Sequence, residues 1–395
     1  MDRSRCDAEG ASPYHDSWGS LEGFMKVDPK SFFRRLWRWH PRVLDDTPNP
    51  FRATPPSDTS TLTDSVSYLP GIVYAEAVTR CNQRCTMCGK AYAPEPPEEL
   101  GYMELAVYRA LLEIVRKGTH LSLFGRGETL MHPDFPEMLR LAKKAGAAIS
   151  FNTNAMTLND RNARAMVDYG QDVLVISMHG ATKETYERIH VWGSHDRLVE
   201  NIDRLNRIKR ARGAELPVLY LQFVAMQSNI AELPDLVSFA AAHEIRGVTV
   251  THVVPHGERM RIEESLRQPE AAARAAEIFE AARRQAARCG VELTLPDPGL
   301  PPPPLPGLDL CIEPWQTFYV KFTGEVTTCC ISNRVFGDLR KERALDIWNG
   351  PVYRKFRERM RSSRKPSECR RCHFLPQNVQ FDDALRNPEI FTEAL

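Results

Sequence analysis

This 395-residue sequence has no excess of positive or negative charge: 52 Lys and Arg are set against 51 Asp and Glu, leaving a formal net charge of +1. Such a balance gives no overall electrostatic footprint for nucleic acid or an anionic membrane surface, so neither is expected as a partner. Long hydrophobic runs are missing as well, and no window approaches the length needed to span a bilayer. The first residues, "MDRSRCDAEGASPYHD", carry no apolar core behind a positive flank, and a cytoplasmic location is expected. No internal repeat of the solenoid kind is present either.

What is present is the composition of a folded protein, 42% hydrophobic and 26% charged, on a chain long enough for two domains and an extension. Ten cysteines are many for a reducing compartment, where a disulfide framework is not expected. Their clustering points to metal ligation instead. Cys81, Cys85 and Cys88 lie within "CNQRCTMC", and Cys311, Cys329, Cys330, Cys369 and Cys372 lie near the end.

Residues 1–69 read as an extension rich in Pro, Ser, Thr and Asp, with a basic aromatic patch, "SFFRRLWRWHPR", suited to a helix packed on the main domain or, alternatively, to a docking surface or lid. Over residues 70–290 short apolar runs alternate with amphipathic segments. "GIVYAEAV", "HLSLFG", "AAISFNTN", "DVLVISMHG", "VLYLQFVAM" and "GVTVTHVV" read as strands, and several of the helical patterns between them close on Gly. Strand followed by helix, six times over, implies a parallel sheet with helices outside it. Six units are too few for an eight-fold barrel, so the expected fold is α/β: a partial (β/α)6 barrel open on one side. A proline-rich linker, residues 291–310 with "PDPGLPPPPLPG", separates it from a small cysteine-rich domain at 311–375, and 376–395 form a tail.

The three-cysteine loop follows the first strand, at the sheet edge where active sites of parallel α/β folds form. Three thiolates can hold three irons of a [4Fe-4S] cube and leave the fourth open, or they can form part of a zinc site completed elsewhere. The surrounding residues bear on that choice. "CNQRCTMC" resembles the CxxxCxxC signature of the radical S-adenosylmethionine (radical SAM) superfamily. "GRGETLMHPDF" is similar to the family's Gly-Gly-Glu-Pro region, with Thr129 in place of Pro, and "NTNAM" to its Thr-Asn-Gly. "SMHGATKETYERIH" and "FVAMQSNIAELPDL" continue the likeness at the next two strand ends.

The resemblance implies that the amino and carboxylate groups of S-adenosyl-L-methionine chelate the open iron of a [4Fe-4S] cluster. Reductive cleavage would then give a 5'-deoxyadenosyl radical that abstracts hydrogen from substrate, with a flavodoxin- or ferredoxin-type protein as electron donor. Carried over by position, Gly127 and Glu128 border the methionine amino group, and Asn154 belongs to the same cofactor site. Ser177 is expected at the ribose or carboxylate and Arg188 at the carboxylate. His190 stands where relatives often have Arg, and Met87 where an aromatic residue is common. Alternation along the fourth strand puts His179 on the face of Ser177, as a substrate or ribose contact or as a hydrogen-bonded structural residue. Gln222, His252 and His256 are further candidate substrate contacts or satisfied polar residues at the rim.

Near the C-terminus, "CIEPWQTFYVKFTGEVTTCC", "FGDLRKERALDIWNGPVYRKFRERM" and "CRRC" resemble the SPASM/twitch extension of that superfamily. It implies an auxiliary [4Fe-4S] cluster. Five thiols suffice for one such cluster with one to spare, the ligands expected being Cys311, Cys369, Cys372 and Cys329, which completes the Val-x-x-Cys pattern and is preferred to Cys330. A zinc ribbon is the alternative the spacing allows. Cys330 is left as a structural thiol or as a hydrogen-atom donor in an epimerisation. The expected activity is radical oxidation or epimerisation, assisted by the auxiliary cluster, of a small molecule such as a sugar or aminocyclitol. Peptide crosslinking or epimerisation is the alternative, and a non-catalytic iron-sulfur scaffold the reading of another class.

Overall fold

The computed structural model describes residues 62–94, 96–296, 310–330, 332, 334–362 and 365–370. The aromatic patch at 31–42, most of the proline-rich linker, Cys372 and the tail lie outside the described residues.

Six parallel strands occur where the apolar runs place them: β1 (Ile72–Ala75), β2 (His120–Ser122), β3 (Ala148–Thr153), β4 (Val173–Ser177), β5 (Val218–Ala225) and β6 (Gly247–His252). Each pairs in parallel with the next. A seventh, β7 (Glu292–Thr294), extends this edge beside β6. At the other edge β8 (Thr317–Val320) pairs in parallel with β1 over its full length. β9 (Glu325–Thr327) and β10 (Gly337–Asp338) follow as antiparallel neighbours. The sheet order is β10-β9-β8-β1-β2-β3-β4-β5-β6-β7, so the C-terminal cysteine region continues the same sheet.

Alternation decides which residues face the helices. Val73, Leu121, Phe151, Ile176, Leu221 and Val250 are at most 3% exposed and belong to one apolar cluster. Helix residues meet them at helical spacing: Phe135, Met138 and Leu139 of α2 (Phe135–Lys144) and Leu198, Ile202 and Leu205 of α5 (His195–Arg212). Before α2 comes α1 (Leu105–Leu111), and between α2 and α5 come α3 (Asp160–Tyr169) and α4 (Lys183–Ile189). The outer layer is completed by α6 (Leu233–Ala242) and α7 (Pro269–Cys289). Gly170, Gly213 and Gly290 end α3, α5 and α7 in the left-handed conformation, as their places after the helical patterns predict.

The other face of the sheet is mixed. Tyr74, Ser122, Ser150, Ser177 and Gln222 alternate with the core residues on their strands. Val173, Val175 and Tyr220 form a small apolar cluster of their own on this side. Deep in it, His120 Nε2 lies 2.6 Å from Ser150 Oγ. Among the described residues no helix is long and apolar enough to cross a membrane.

The tryptophans of the C-terminal motifs are anchors. Trp315 Nε1 donates to the Thr63 carbonyl at 2.6 Å, and Trp348 Nε1 to that of Tyr68 at 2.8 Å. Asn349 brackets Val66, accepting from its N–H at 3.1 Å and donating to its carbonyl at 2.6 Å. Arg357 is fully buried; it donates to Pro314 O at 2.8 Å, Asn349 Oδ1 at 2.9 Å and Asp64 O at 3.2 Å. Its guanidinium carbon sits 4.3 Å from the Trp348 ring centre. Burial draws its pKa down to about 10. The segment from 62 to 69 is thereby strapped to the C-terminal region.

Arg357→Ala, which leaves these acceptors without their donor, is expected to lower the unfolding free energy by about 3 kcal/mol in urea denaturation. His120 sets a pH dependence, because burial lowers its pKa from 6.5 to about 4. The unfolded chain then takes up the proton first as pH falls. Stability is full above pH 6.5 and drains away towards about pH 4, by on the order of 3 kcal/mol. The fall in unfolding free energy between those pH values is expected to be shallower in His120→Gln than in the parent protein.

Candidate active site

The loop after β1 carries Cys81, Cys85 and Cys88, all partly buried. Its backbone is pinned by the residues at the end of the helix Lys183–Ile189. Cys85 pairs with His190 in a short antiparallel bridge, and Thr86 N donates to Ile189 O at 3.0 Å. Cys88 then begins the short helix Gly89–Tyr92, where Lys90 Nζ reaches back to Thr79 O at 2.6 Å. Met87 packs beside Ile189, Met226, Val253 and Met260 in a small apolar cluster.

Burial pushes the Cys81 and Cys85 thiols up, and for Cys85 the other two thiols of the loop add to the effect. Thiols so placed resist ionisation until a cation is supplied, and ligation by iron supplies it. Among the described residues no group of three His, Cys, Asp or Glu could hold a metal ion. A cubane binds its thiolates at separate irons and so does not need them to meet at one point. The donor set on this loop therefore fits a cluster better than a single ion.

Glu128 joins the neighbouring loops. It is 3% exposed. Its Oε1 accepts from Thr153 Oγ1 at 2.6 Å and Leu130 N at 3.1 Å, and its Oε2 from Asn154 N at 2.8 Å. Burial raises its pKa, opposed by these three donors. Its own N–H donates to Arg80 O at 2.8 Å, beside the cysteine loop. Gly127 is required there: an added Cβ would lie 2.4 Å from the carbonyl oxygens of both Val78 and Arg80. Asn154 Nδ2 donates to Asn82 Oδ1 at 2.8 Å and lies 3.8 Å from Cys81 Sγ. Ala155, where the family motif has Gly, has a left-handed φ of 58°.

On the other side of the loop three rings stack. His190 lies 4.6 Å from His179 and 4.3 Å from Tyr186, centre to centre. His190 is fully buried and His179 3% exposed. Burial lowers the His179 pKa to about 3 and holds His190 well below the usual range, His179 adding to the latter. His179 Nδ1 accepts from Val224 N at 3.2 Å. His190 Nδ1 lies 3.1 Å from Gln83 Oε1 and 3.5 Å from Cys85 Sγ.

The remaining candidates spread along the rim. Ser177 and Gln222 are register partners on β4 and β5, and Gln222 Nε2 donates to Thr251 Oγ1 at 3.0 Å. Arg188 is exposed on α4 and donates to Ser228 O at 3.2 Å. His252 ends β6, and His256 stacks on Tyr92 at 5.4 Å, against the helix that follows Cys88. The structure thus groups Glu128, Asn154, His179 and His190 around the cysteine loop, while Arg188 lies on the exposed face of α4.

Four residues not assigned from sequence belong to this neighbourhood. Gln83 and Tyr186 sit inside the quoted motifs, but their spacing alone gave no reason to single them out. Glu76 follows β1, 6% exposed, and burial raises its pKa. Arg126, between the motif glycines, donates through Nη2 to Ala93 O at 3.4 Å and through its backbone N–H to Glu76 Oε1 at 3.4 Å.

In the C-terminal region Cys311, Cys329 and Cys369 are partly buried and Cys330 is exposed. Burial raises the phenol pKa of Tyr319, with Glu76, Cys330 and Cys329 contributing in the same direction. Tyr74 is raised likewise, by burial and then by Glu313 and Cys330. Tyr74 and Tyr319 are register partners with rings 5.8 Å apart, so this pair sits between the β1 edge and the second group of thiols.

Comparison with known proteins matches residues 76–222 to the radical SAM superfamily model and residues 311–373 to an iron-sulfur cluster-binding domain, SPASM. A tungsten-containing aldehyde ferredoxin oxidoreductase cofactor-modifying protein from Pyrococcus furiosus is 27% identical over 46% of this chain and 51% of its own, so the chain spans about half that relative's length. The PqqA peptide cyclase of Gluconobacter oxydans is 26% identical over 77% of this chain and 82% of its own. Among solved structures, Streptococcus suis SuiB bound to precursor peptide SuiA superposes with a TM-score of 0.58 at 13% identity, covering 78% of this chain and 70% of that one, which supports the fold. With a parallel sheet bearing CxxxCxxC after its first strand and a second cysteine region joined to that sheet's edge, the chain belongs to the radical SAM superfamily and carries a C-terminal SPASM domain.

Proposed function

We propose that this chain modifies a peptide by radical chemistry. The observation that carries the reading is the likeness to a peptide cyclase over 77% of this chain, more than the barrel alone would give. The small sugar or aminocyclitol expected from the sequence has less support for that reason. A non-catalytic scaffold is disfavoured by the polar residues gathered round the first loop, which ligation alone does not require.

Cys81, Cys85 and Cys88 hold the first [4Fe-4S] cluster, which when bound supplies the electron for reductive cleavage of S-adenosyl-L-methionine. Gly127 lets the β2 loop close on the cysteine loop, and Glu128 fixes Asn154 beside Cys81. Ser177, Gln222 and Arg126 offer polar contacts on the inner face and rim, where substrate is oriented. Cys311, Cys329 and Cys369, with Cys372 beyond the described residues, hold the auxiliary cluster. Cys330, exposed and close enough to perturb Tyr74 and Tyr319, is the hydrogen-atom donor if the product is an epimer.

With dithionite and S-adenosyl-L-methionine, the anaerobically reconstituted protein is expected to release 5'-deoxyadenosine, and Cys85→Ala to release at least about a hundredfold less. Incubation in deuterated water with short peptides encoded beside its gene is expected to change the mass of one of them, by hydrogen loss on crosslinking or by deuterium uptake on epimerisation; cleavage without any change of peptide mass there would contradict the peptide reading. In deuterated water, Cys330→Ala is expected to lose deuterium incorporation into an epimerised product while retaining cleavage. Full incorporation would remove Cys330 from the chemistry.

A further inference from the structure

The contact between His190 and Cys85 has no place in the assignments above. It rests on a rigid frame. His190 is fully buried, its backbone pairs with that of Cys85, and Thr86 N donates to Ile189 O at 3.0 Å. The imidazole is clamped between Tyr186 and His179, at ring separations of 4.3 and 4.6 Å. Only Nδ1 is directed at the cysteine loop, 3.1 Å from Gln83 Oε1 and 3.5 Å from Cys85 Sγ. With the Gln83 amide oriented so that Oε1 faces the ring, the tautomer that donates to it carries its hydrogen on Nδ1. That hydrogen lies between an amide oxygen and a sulfur that bears negative charge once ligated.

We infer that His190 is a positioning residue for the first cluster: its Nδ1–H donates to Cys85 Sγ and sets the cluster's reduction potential. The inference rests on the assignment of Cys85 as a cluster ligand. An N–H donor stabilises charge on a ligating sulfur, and the reduced cluster carries one more negative charge than the oxidised one. The bond therefore strengthens on reduction and raises the potential. Removing it makes the cluster harder to reduce. A site that must accept an electron before S-adenosyl-L-methionine can be cleaved gains by holding this donor fixed, and stacking on both faces of the ring does so without a second hydrogen bond.

Two substitutions separate the hydrogen bond from the stack. His190→Phe keeps an aromatic ring between Tyr186 and His179 but has no donor. His190→Asn loses the stack but can present a side-chain N–H near the position of Nδ1. Midpoint potentials of the first cluster are measured by redox titration with electron paramagnetic resonance on reconstituted protein without substrate. The Cys311→Ala, Cys329→Ala double variant serves as background, so that one cubane is observed. His190→Phe is expected to shift the potential to more negative values by about tenfold in the reduction equilibrium, about 59 mV for one electron, and His190→Asn to stay near the parent. A shift in His190→Asn with none in His190→Phe would assign the effect to stacking and overturn the inference, as would parent potentials in both. If the parent protein assembles no cubane at this loop, the ligand assignment fails, and the inference with it. An intact cubane with an unmoved potential refutes the hydrogen bond alone.

Discussion

The Glu128 carboxylate is the interaction on which the rim of this site depends. It is buried where a free carboxylate would be costly, and three donors from two loops make it tenable. Through Asn154 N it holds the loop after β3, and through its own N–H to Arg80 O it holds the loop after β1. Without that carboxylate, Leu130 N, Thr153 Oγ1 and Asn154 N would lose a common acceptor. Asn154 would then no longer be fixed against Cys81 and Asn82. The adjacent Gly127 serves the same closure sterically, since no side chain fits between it and the carbonyls of Val78 and Arg80.

The cysteine loop is thus gripped from two sides that differ in chemistry. Glu128 and Asn154 approach Cys81 through a hydrogen-bonded network. At Cys85 the grip is a backbone bridge backed by the stacked rings of His179, His190 and Tyr186. Such rigidity suits a site that must hold a cluster open at one corner, because loose thiolates could close around a single ion instead. The auxiliary region is attached with similar firmness. β8 pairs with β1 along its full length, and the Trp315, Trp348 and Arg357 contacts strap residues 62–69 across it. The two thiol groups are consequently carried by one continuous sheet rather than by domains joined only through a linker.

Much of this was legible in the sequence for a simple physical reason. Parallel strands buried against helices read as apolar runs, and all six fall where "GIVYAEAV" to "GVTVTHVV" place them. Helix ends were announced by glycines that adopt the left-handed conformation. The cysteine spacing and the Gly127–Glu128 pair were legible as motifs. What spacing could not reveal were pairings between distant segments: β8 against β1, β7 at the opposite edge, and the strap of residues 62–69. The role of the motif tryptophans was hidden for the same cause, since an indole N–H that satisfies a remote carbonyl leaves no periodic signature. His179 and His190 could be placed by alternation and by motif, but their mutual stacking follows from a loop geometry that only the folded chain supplies. Gln83 and Arg126 were overlooked because each is an ordinary polar residue inside a stronger motif.

On the reading proposed above, one sheet carries an open cluster at Cys81, Cys85 and Cys88 and an auxiliary cluster in the SPASM region. Iron and acid-labile sulfide, counted in anaerobically reconstituted protein together with the paramagnetic resonance of its reduced form before and after S-adenosyl-L-methionine, test it most directly. About eight irons and about eight sulfides per chain are expected, with one of two cubane signals altered by S-adenosyl-L-methionine. About four irons accompanied by zinc, or two signals both indifferent to S-adenosyl-L-methionine, would contradict it.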